Sequence, residues 1–232
     1  RCIIEGMGIP FSFDIVGICA QDHGVPPPGV SHLDYRHRIF KAVLDTAPFP
    51  HALMYPREEV PNTLSRLRSI AKAAGDLPAE ELFLMDSGMA AILGASLDSA
   101  LISRERAVVL DIATSHTLGA TLERGEIAAF FEYHTHAVTL QRLEVLVRDL
   151  AEGRLDHDRI LEEGGHGAYI RKTLGFDAIE VIVVTGPRRG LVRHSRLPLV
   201  MGAPLGDNMM TGTAGLLEAI RRVKGWDPFS FL

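Results

Sequence analysis

The stretch from Ala107 to Tyr133 constrains the fold more than any other part of the chain. Ala107–Asp111, Thr117–Glu123 and Ile127–Tyr133 are three apolar or alternating runs. They are joined by the polar segment Ile112–His116 and by Arg124-Gly125. Short runs of this kind, closed by a glycine turn, predict a three-stranded β-meander. Val181–Val184 is β-branched throughout and fits the interior of a sheet. Between the meander and that strand, Thr139 can cap a helix carrying Leu140, Leu143, Val147 and Leu150 on one face, and Asp156–Glu163 reads as a second, short helix. A meander followed by helices and a further strand predicts an α/β chain with a mixed sheet flanked by helices.

The earlier half is also α/β in pattern. Asp14–Ala20 and Leu82–Met85 read as buried strands, and Leu33–Leu44 and Asn62–Ala74 as helices. The intervening Asp45–Pro61 holds four prolines and shows no period. Met89–Ala95 reads as a helix of mostly small residues able to pack close to another backbone, and Asp207–Val223 as the closing helix.

The composition excludes several classes. Of 232 residues, 47% are apolar and 23% charged, and the net charge is −5 with the two signs interspersed. That excludes disorder and argues against a nucleic-acid partner, which would favour a basic face. No apolar run approaches the ~18 residues of a membrane helix, so no membrane partner is expected. Cys2 and Cys19 stand in no ligand spacing; both read as small buried residues, in a reducing, cytoplasmic compartment. The chain opens on Arg1 directly into patterned sequence, and is expected to be an N-terminally truncated piece of a two-lobe protein.

Polar clusters recur where these strands end, the place where open α/β sheets bind ligands. They are Asp22-His23, Asp86-Ser87-Gly88, Asp111 to Thr117, Glu132 to His136, Thr185-Gly186 and Asp207. A strand-ending Asp111 can hold Mg²⁺ or a water, and the hydroxyls and N–H groups of Thr114, Ser115 and Thr117 can meet phosphate oxygens; an Asx or Ser/Thr turn without ligand explains the same residues. Gly186 allows close approach and Arg188 suits an anion, or the pair is simply a helix start. If the third meander strand continues, Glu132, His134 and His136 share a face and offer a metal site or a general acid and base; hydrogen-bonded surface histidines are the alternative. Gly164-Gly165-His166-Gly167 reads as a flexible loop whose histidine could reach a site. His51, His157 and His194 read as surface residues.

With these segments in order, the chain resembles the superfamily of actin, sugar kinases and heat-shock chaperone ATPases. Asp86–Ala95 resembles its first connecting helix, Val108–Thr117 its second phosphate hairpin, Val183–Arg189 its adenosine loop and Gly206–Leu217 its second connecting helix. The resemblance implies a ribonuclease-H-like lobe, with residues 1–80 ending a first lobe and 81–232 forming a second. It also implies ATP and Mg²⁺ as ligands, Asp111 as the metal-holding residue, and ATPase or kinase-like phosphotransfer as the activity to weigh against a non-catalytic binding module. His116 joins Thr114, Ser115 and Thr117 at the phosphates, Thr185 stands with Gly186, and Asp22, His23, Asp86, Ser87, Gly88 and Asp207 complete the ligand set. The partner is a phosphorylated small molecule, with a homo-oligomer left open. Glu132, His134 and His166 are the acid/base candidates.

More narrowly, Asp22-His-Gly24, Thr114-Ser-His-Thr117, Phe131-Glu-Tyr-His-Thr135, Gly165-His-Gly-Ala168 and Gly206-Asp-Asn-Met-Met210 resemble a prokaryotic family whose members carry the label pyruvate formate-lyase activating enzyme. That radical chemistry uses C-x₃-C-x₂-C around an iron–sulfur cluster. Two cysteines 17 positions apart do not match it, and no iron–sulfur cluster is expected of these residues.

Overall fold

A computed structural model describes residues 1–229; the last three residues of the expected second lobe lie outside the described residues. A short helix α1 (Cys2–Gly6) leads into β1 (Phe13–Ala20), α2 (His32–Thr46), β2 (Met54–Pro56), α3 (Ser65–Ala73) and β3 (Ala79–Asp86). Then follow α4 (Ser87–Ala95), β4 (Arg106–Ile112), β5 (His116–Glu123) and β6 (Glu126–His134). The chain continues through α5 (Leu140–Ala151), α6 (His157–Glu162), β7 (Gly165–Ile170), β8 (Val181–Thr185), β9 (Leu199–Met201) and α7 (Thr211–Lys224).

These strands make two sheets, one ordered β1-β3-β2 and one ordered β7-β6-β5-β4-β8-β9. In the larger sheet β5 runs antiparallel to β4 and β6, while β8 is parallel to β4 and to β9. The predicted meander is therefore β4-β5-β6, and Val181–Val184 sits inside the sheet as expected. This order, with its second strand reversed, is the ribonuclease-H-like lobe of actin-type proteins. β7 adds one antiparallel strand beyond it, paired with β6.

Alternation along the strands builds three apolar layers. Val108, Leu110 and Ile112 face one way and join Phe131, Leu143, Leu146 and Leu150 under α5 and α6. Val109 faces the other way, toward Met89, Ile92, Leu93 and Ile220 of α4 and α7, which also receive Phe83 and Met85 of β3. Leu82 and Leu84 point outward from the small sheet onto Leu67 and Ala71 of α3. Helices α4 and α7 thus lie between the two sheets.

The close crossing of these helices follows from two glycines. A Cβ on Gly94 would stand 1.7 Å from the Thr211 carbonyl oxygen, and one on Gly215 would stand 1.8 Å from the Ala90 oxygen. Backbone meets backbone there, so the small-residue pattern of α4 reflects packing. Toward the end of α7, Glu218 is buried and accepts from Arg221 Nε and Arg222 Nε, each at 2.6 Å. Burial alone would raise its pKa, but these two guanidinium groups hold it below the usual carboxylate range. A depressed folded pKa stabilises above the unfolded value and is lost as pH falls. Glu218→Gln is therefore expected to lower the unfolding midpoint at pH 7, with the gap to the native chain closing below about pH 4; thermal melts across that range measure it.

Four differences from the sequence reading stand out. Gly164–Gly167 opens into strand β7 rather than a flexible loop. The short strand β2 lies in Asp45–Pro61, which shows no period, and β9 adds an edge strand to the larger sheet that the sequence reading does not include. Cys2 is exposed, while Cys19 on β1 is half-buried; desolvation, with the Asp86 charge, pushes its thiol up to about 12. His157 is more than a surface residue: its ring stacks on His37 at 3.9 Å, and its Nδ1 accepts from Ala168 N at 3.3 Å. Among the described residues no helix is long and apolar enough to cross a membrane.

Candidate functional site

A cleft of about 470 Å³ opens between the end of the larger sheet and the N-termini of the two crossed helices. Its floor is Asp111, which alternation on β4 turns to the α4/α7 side. The carboxylate is 7% exposed and its Oδ1 accepts from Thr185 Oγ1 at 2.8 Å. Burial raises the Asp111 pKa, and the Thr185 hydroxyl offsets part of that.

One wall is the β4–β5 turn, where Thr114 and Ser115 are exposed at the rim. Ala113 N donates to His116 O at 3.0 Å, Thr135 N to Ser115 O at 2.9 Å, and Thr135 Oγ1 to Ala113 O at 2.8 Å. The turn is thereby pinned from beneath, with its side chains left facing the cleft. Thr117 does not reach the cleft: it is fully buried, its hydroxyl 3.0 Å from that of Thr135. Gly186 borders the turn with φ +92, and a Cβ there would meet the Ile112 oxygen at 2.4 Å; glycine is required on both counts.

The opposite wall comes from Ser87 and Gly88 at the start of α4 and from Asn208, Met209, Thr211 and Gly212 at the start of α7. Asp86 caps α4 by accepting from Gly88 N and Met89 N at 2.9 and 3.0 Å. No side chain caps α7 itself; the 3-10 turn Asn208–Met210 leads into it, and Thr211 N donates to Asn208 O. Asn208 Oδ1 is buried there without a hydrogen-bond partner. Reading from sequence singled out Asp207 in this segment. It is exposed and accepts from Met209 N at 2.8 Å, while its neighbours line the cleft. Arg188 is also exposed and away from the lining; its backbone N donates to Ile112 O at 2.9 Å.

Beside the cleft lies a buried polar cluster that the sequence reading partly anticipated. Arg36, on the inner face of α2 with Phe40 and Leu44, pairs with Asp86 Oδ2 at 2.9 Å and with Glu132 Oε2. Its Nε donates to Asp22 O at 3.2 Å. Asp22 itself is structural, accepting from Gly24 N and Leu67 N at 2.9 Å each. Gln21 Nε2 donates to Glu132 Oε1 at 2.6 Å. Burial would raise the Glu132 pKa, but Arg36 and then His166 outweigh it and hold the carboxyl at about 2. Asp86 moves the other way: burial pushes it up against the pull of Arg36. One cation thus serves two carboxylates, and Glu132 is the one that stays ionised most firmly.

The expected face of Glu132, His134 and His136 does not form, because β6 ends at His134 and Thr135–Ala137 turns away in a 3-10 helix. His136 is exposed, its ring stacked on His134 at 5.3 Å. The register instead sets His116 of β5 opposite His134 of β6. Between β6 and β7 the pairing slips from Glu132↔Gly167 to Tyr133↔Gly165, and this bulge places His166 beside them. The His166 and His134 Nε2 atoms are 3.0 Å apart, and His166 Nδ1 lies 3.3 Å from Glu132 Oε1. His23 meets the His166 ring edge-on at 5.5 Å. Burial lowers the pKa of His116 and of His23 to about 4 and lowers that of His134.

The strand order and the crossed helices beside this cleft are those of the actin-like class of fold. The chain belongs to the family described as "Putative pyruvate format-lyase activating enzyme (DUF1786)", which matches residues 1–191. A search of curated proteins returns no match. Among solved structures, the chain is similar to MreB 5 of Spiroplasma citri bound to AMPPNP, at 11% identity and TM-score 0.44, over 89% of this chain and 79% of that one. It is also similar to the apo ParM protein of pSK41, at 10% identity and TM-score 0.35, over 85% and 72%.

Proposed function

We propose that the cleft binds a nucleotide or another phosphorylated small molecule together with Mg²⁺. The observation that carries this reading is the convergence, around one 470 Å³ cleft, of a pinned Thr114–Ser115 turn, a buried carboxylate at Asp111 and the start of α7, where the buried Asn208 Oδ1 has no partner. Hydroxyls, backbone N–H groups and helix N-termini are the donors that phosphate oxygens select. Asp111 would hold the Mg²⁺ or one of its waters, and the ion would supply charge neutralisation at the phosphates. Gly186 leaves room for a nucleoside against the end of β8, and the unpartnered Asn208 Oδ1 can accept from a ligand hydroxyl or amino group.

Titration calorimetry of the protein with Mg-ATP, Mg-ADP and acetyl phosphate tests the reading. Saturable one-site binding of at least one of them is expected. Asp111→Asn should weaken the Mg²⁺-dependent affinity about tenfold, equal to about 1.4 kcal/mol, with the thermal midpoint little changed because the carboxylate is already penalised by burial. Absence of heat with all three, in protein that melts cooperatively, would contradict it.

A further inference from the structure

The histidines at the edge of the cleft converge as metal ligands do. His116, His134 and His166 come from the adjacent strands β5, β6 and β7, and one ring nitrogen of each lies within 4.8 Å of the others. We propose that these three side chains bind a divalent ion of the zinc class. Three imidazoles with one open position are a complement that zinc accepts in tetrahedral geometry, with nitrogens at about 2.0–2.1 Å from the ion. At that bond length two ligand nitrogens stand about 3.3 Å apart, close to the 3.0 Å between His134 Nε2 and His166 Nε2.

The surroundings match an outer shell as well. The His166 side chain is 2% exposed, and its Nδ1 has no aligned hydrogen bond although Glu132 Oε1 is only 3.3 Å away. With Nε2 on an ion, Nδ1 must carry its proton and point it at that carboxylate, the arrangement that orients metal-bound histidines. Glu132 is itself fixed by Arg36 and Gln21, so the orienting group is rigid and ionised. The bulge between β6 and β7 has the same meaning: an extra residue re-aims one side chain toward the other two. His116 and Glu132 both line the cleft, which puts the ion's free position on the side where the ligand would sit. This site stands independently of the nucleotide reading; either can fail alone.

The full chain, stripped with chelator and freed of it, is titrated with Zn²⁺ against a chromophoric competitor and with Co²⁺ by visible absorption. One ion per chain and the intense bands of tetrahedral cobalt are expected. His134→Ala, at a partly exposed position that folding tolerates, should weaken binding more than a hundredfold, beyond the ten- to hundredfold typical of an outer partner. Glu132→Gln should fall in that lower range. His136→Ala and His194→Ala should leave affinity unchanged. Folded protein without a cobalt spectrum overturns the proposal, as does an equal loss in the His136 and His134 variants.

Discussion

Gly94→Ala and Gly215→Ala are each expected to destabilise the protein by about 3 kcal/mol, at the upper end of what overpacking costs. The added methyl would stand 1.7 or 1.8 Å from a carbonyl oxygen of the facing helix, and a backbone oxygen cannot rotate aside as a side chain can. The helices must separate, which loosens Met89, Ile92, Leu93 and Ile220 at once. Because the cleft is lined by the starts of both helices, ligand affinity should fall together with stability. Gly212→Ala supplies the comparison. It lies on the same helix with nothing within 4 Å of its Cβ position, so it should be neutral or slightly stabilising, as expected for alanine in a helix. Urea unfolding of the three variants decides the matter, and equal effects at all three positions would contradict a backbone-tight crossing.

Arg36→Leu should be as damaging by a different route, costing about 3–5 kcal/mol. It removes the cation that serves both Asp86 and Glu132, which are 4% and 2% exposed. The penalty is mainly that of two buried carboxylates left without a countercharge, with the loss of the guanidinium seated 4.2 Å over the Phe40 ring a smaller part. Adding Glu132→Gln and Asp86→Asn should therefore recover much of the loss. A triple variant no more stable than Arg36→Leu alone would show that the cost lies in packing. Chemical denaturation with a common m-value compares them directly.

These effects show where sequence alone was and was not informative. The meander, the central strand and the long helices were legible because each carries its own period, and Thr139 does cap α5 as read, accepting from Arg142 N at 3.2 Å. β7 was not legible: Gly164-Gly165-His166-Gly167 has the composition of a loop, and becomes a strand only through pairing with β6. The sequence marks His166 but not its partners, and alternation continued past His134 points to His136 rather than His116 because nothing in the residues shows that β6 stops there. Arg36 does leave a readable trace in the sequence. It falls on the same stripe as Phe40 and Leu44, and an arginine on an apolar stripe needs buried acids. On the far wall Ser87 and Gly88 are expected residues that do line the cleft, whereas Asp207, the acid of the α7 segment, does not; Asn208, Thr211 and Gly212 line it instead, and none of them carries a charge that marks it in the sequence.

The cleft reading is tested most directly by a crystal structure of the protein soaked with Mg²⁺ and a non-hydrolysable ATP analogue. Phosphates are expected against the Thr114–Ser115 turn and the start of α7, with the ion on the Asp111 side and the nucleoside beside Gly186. A cleft left empty at saturating analogue, or phosphates bound elsewhere on the surface, would contradict it.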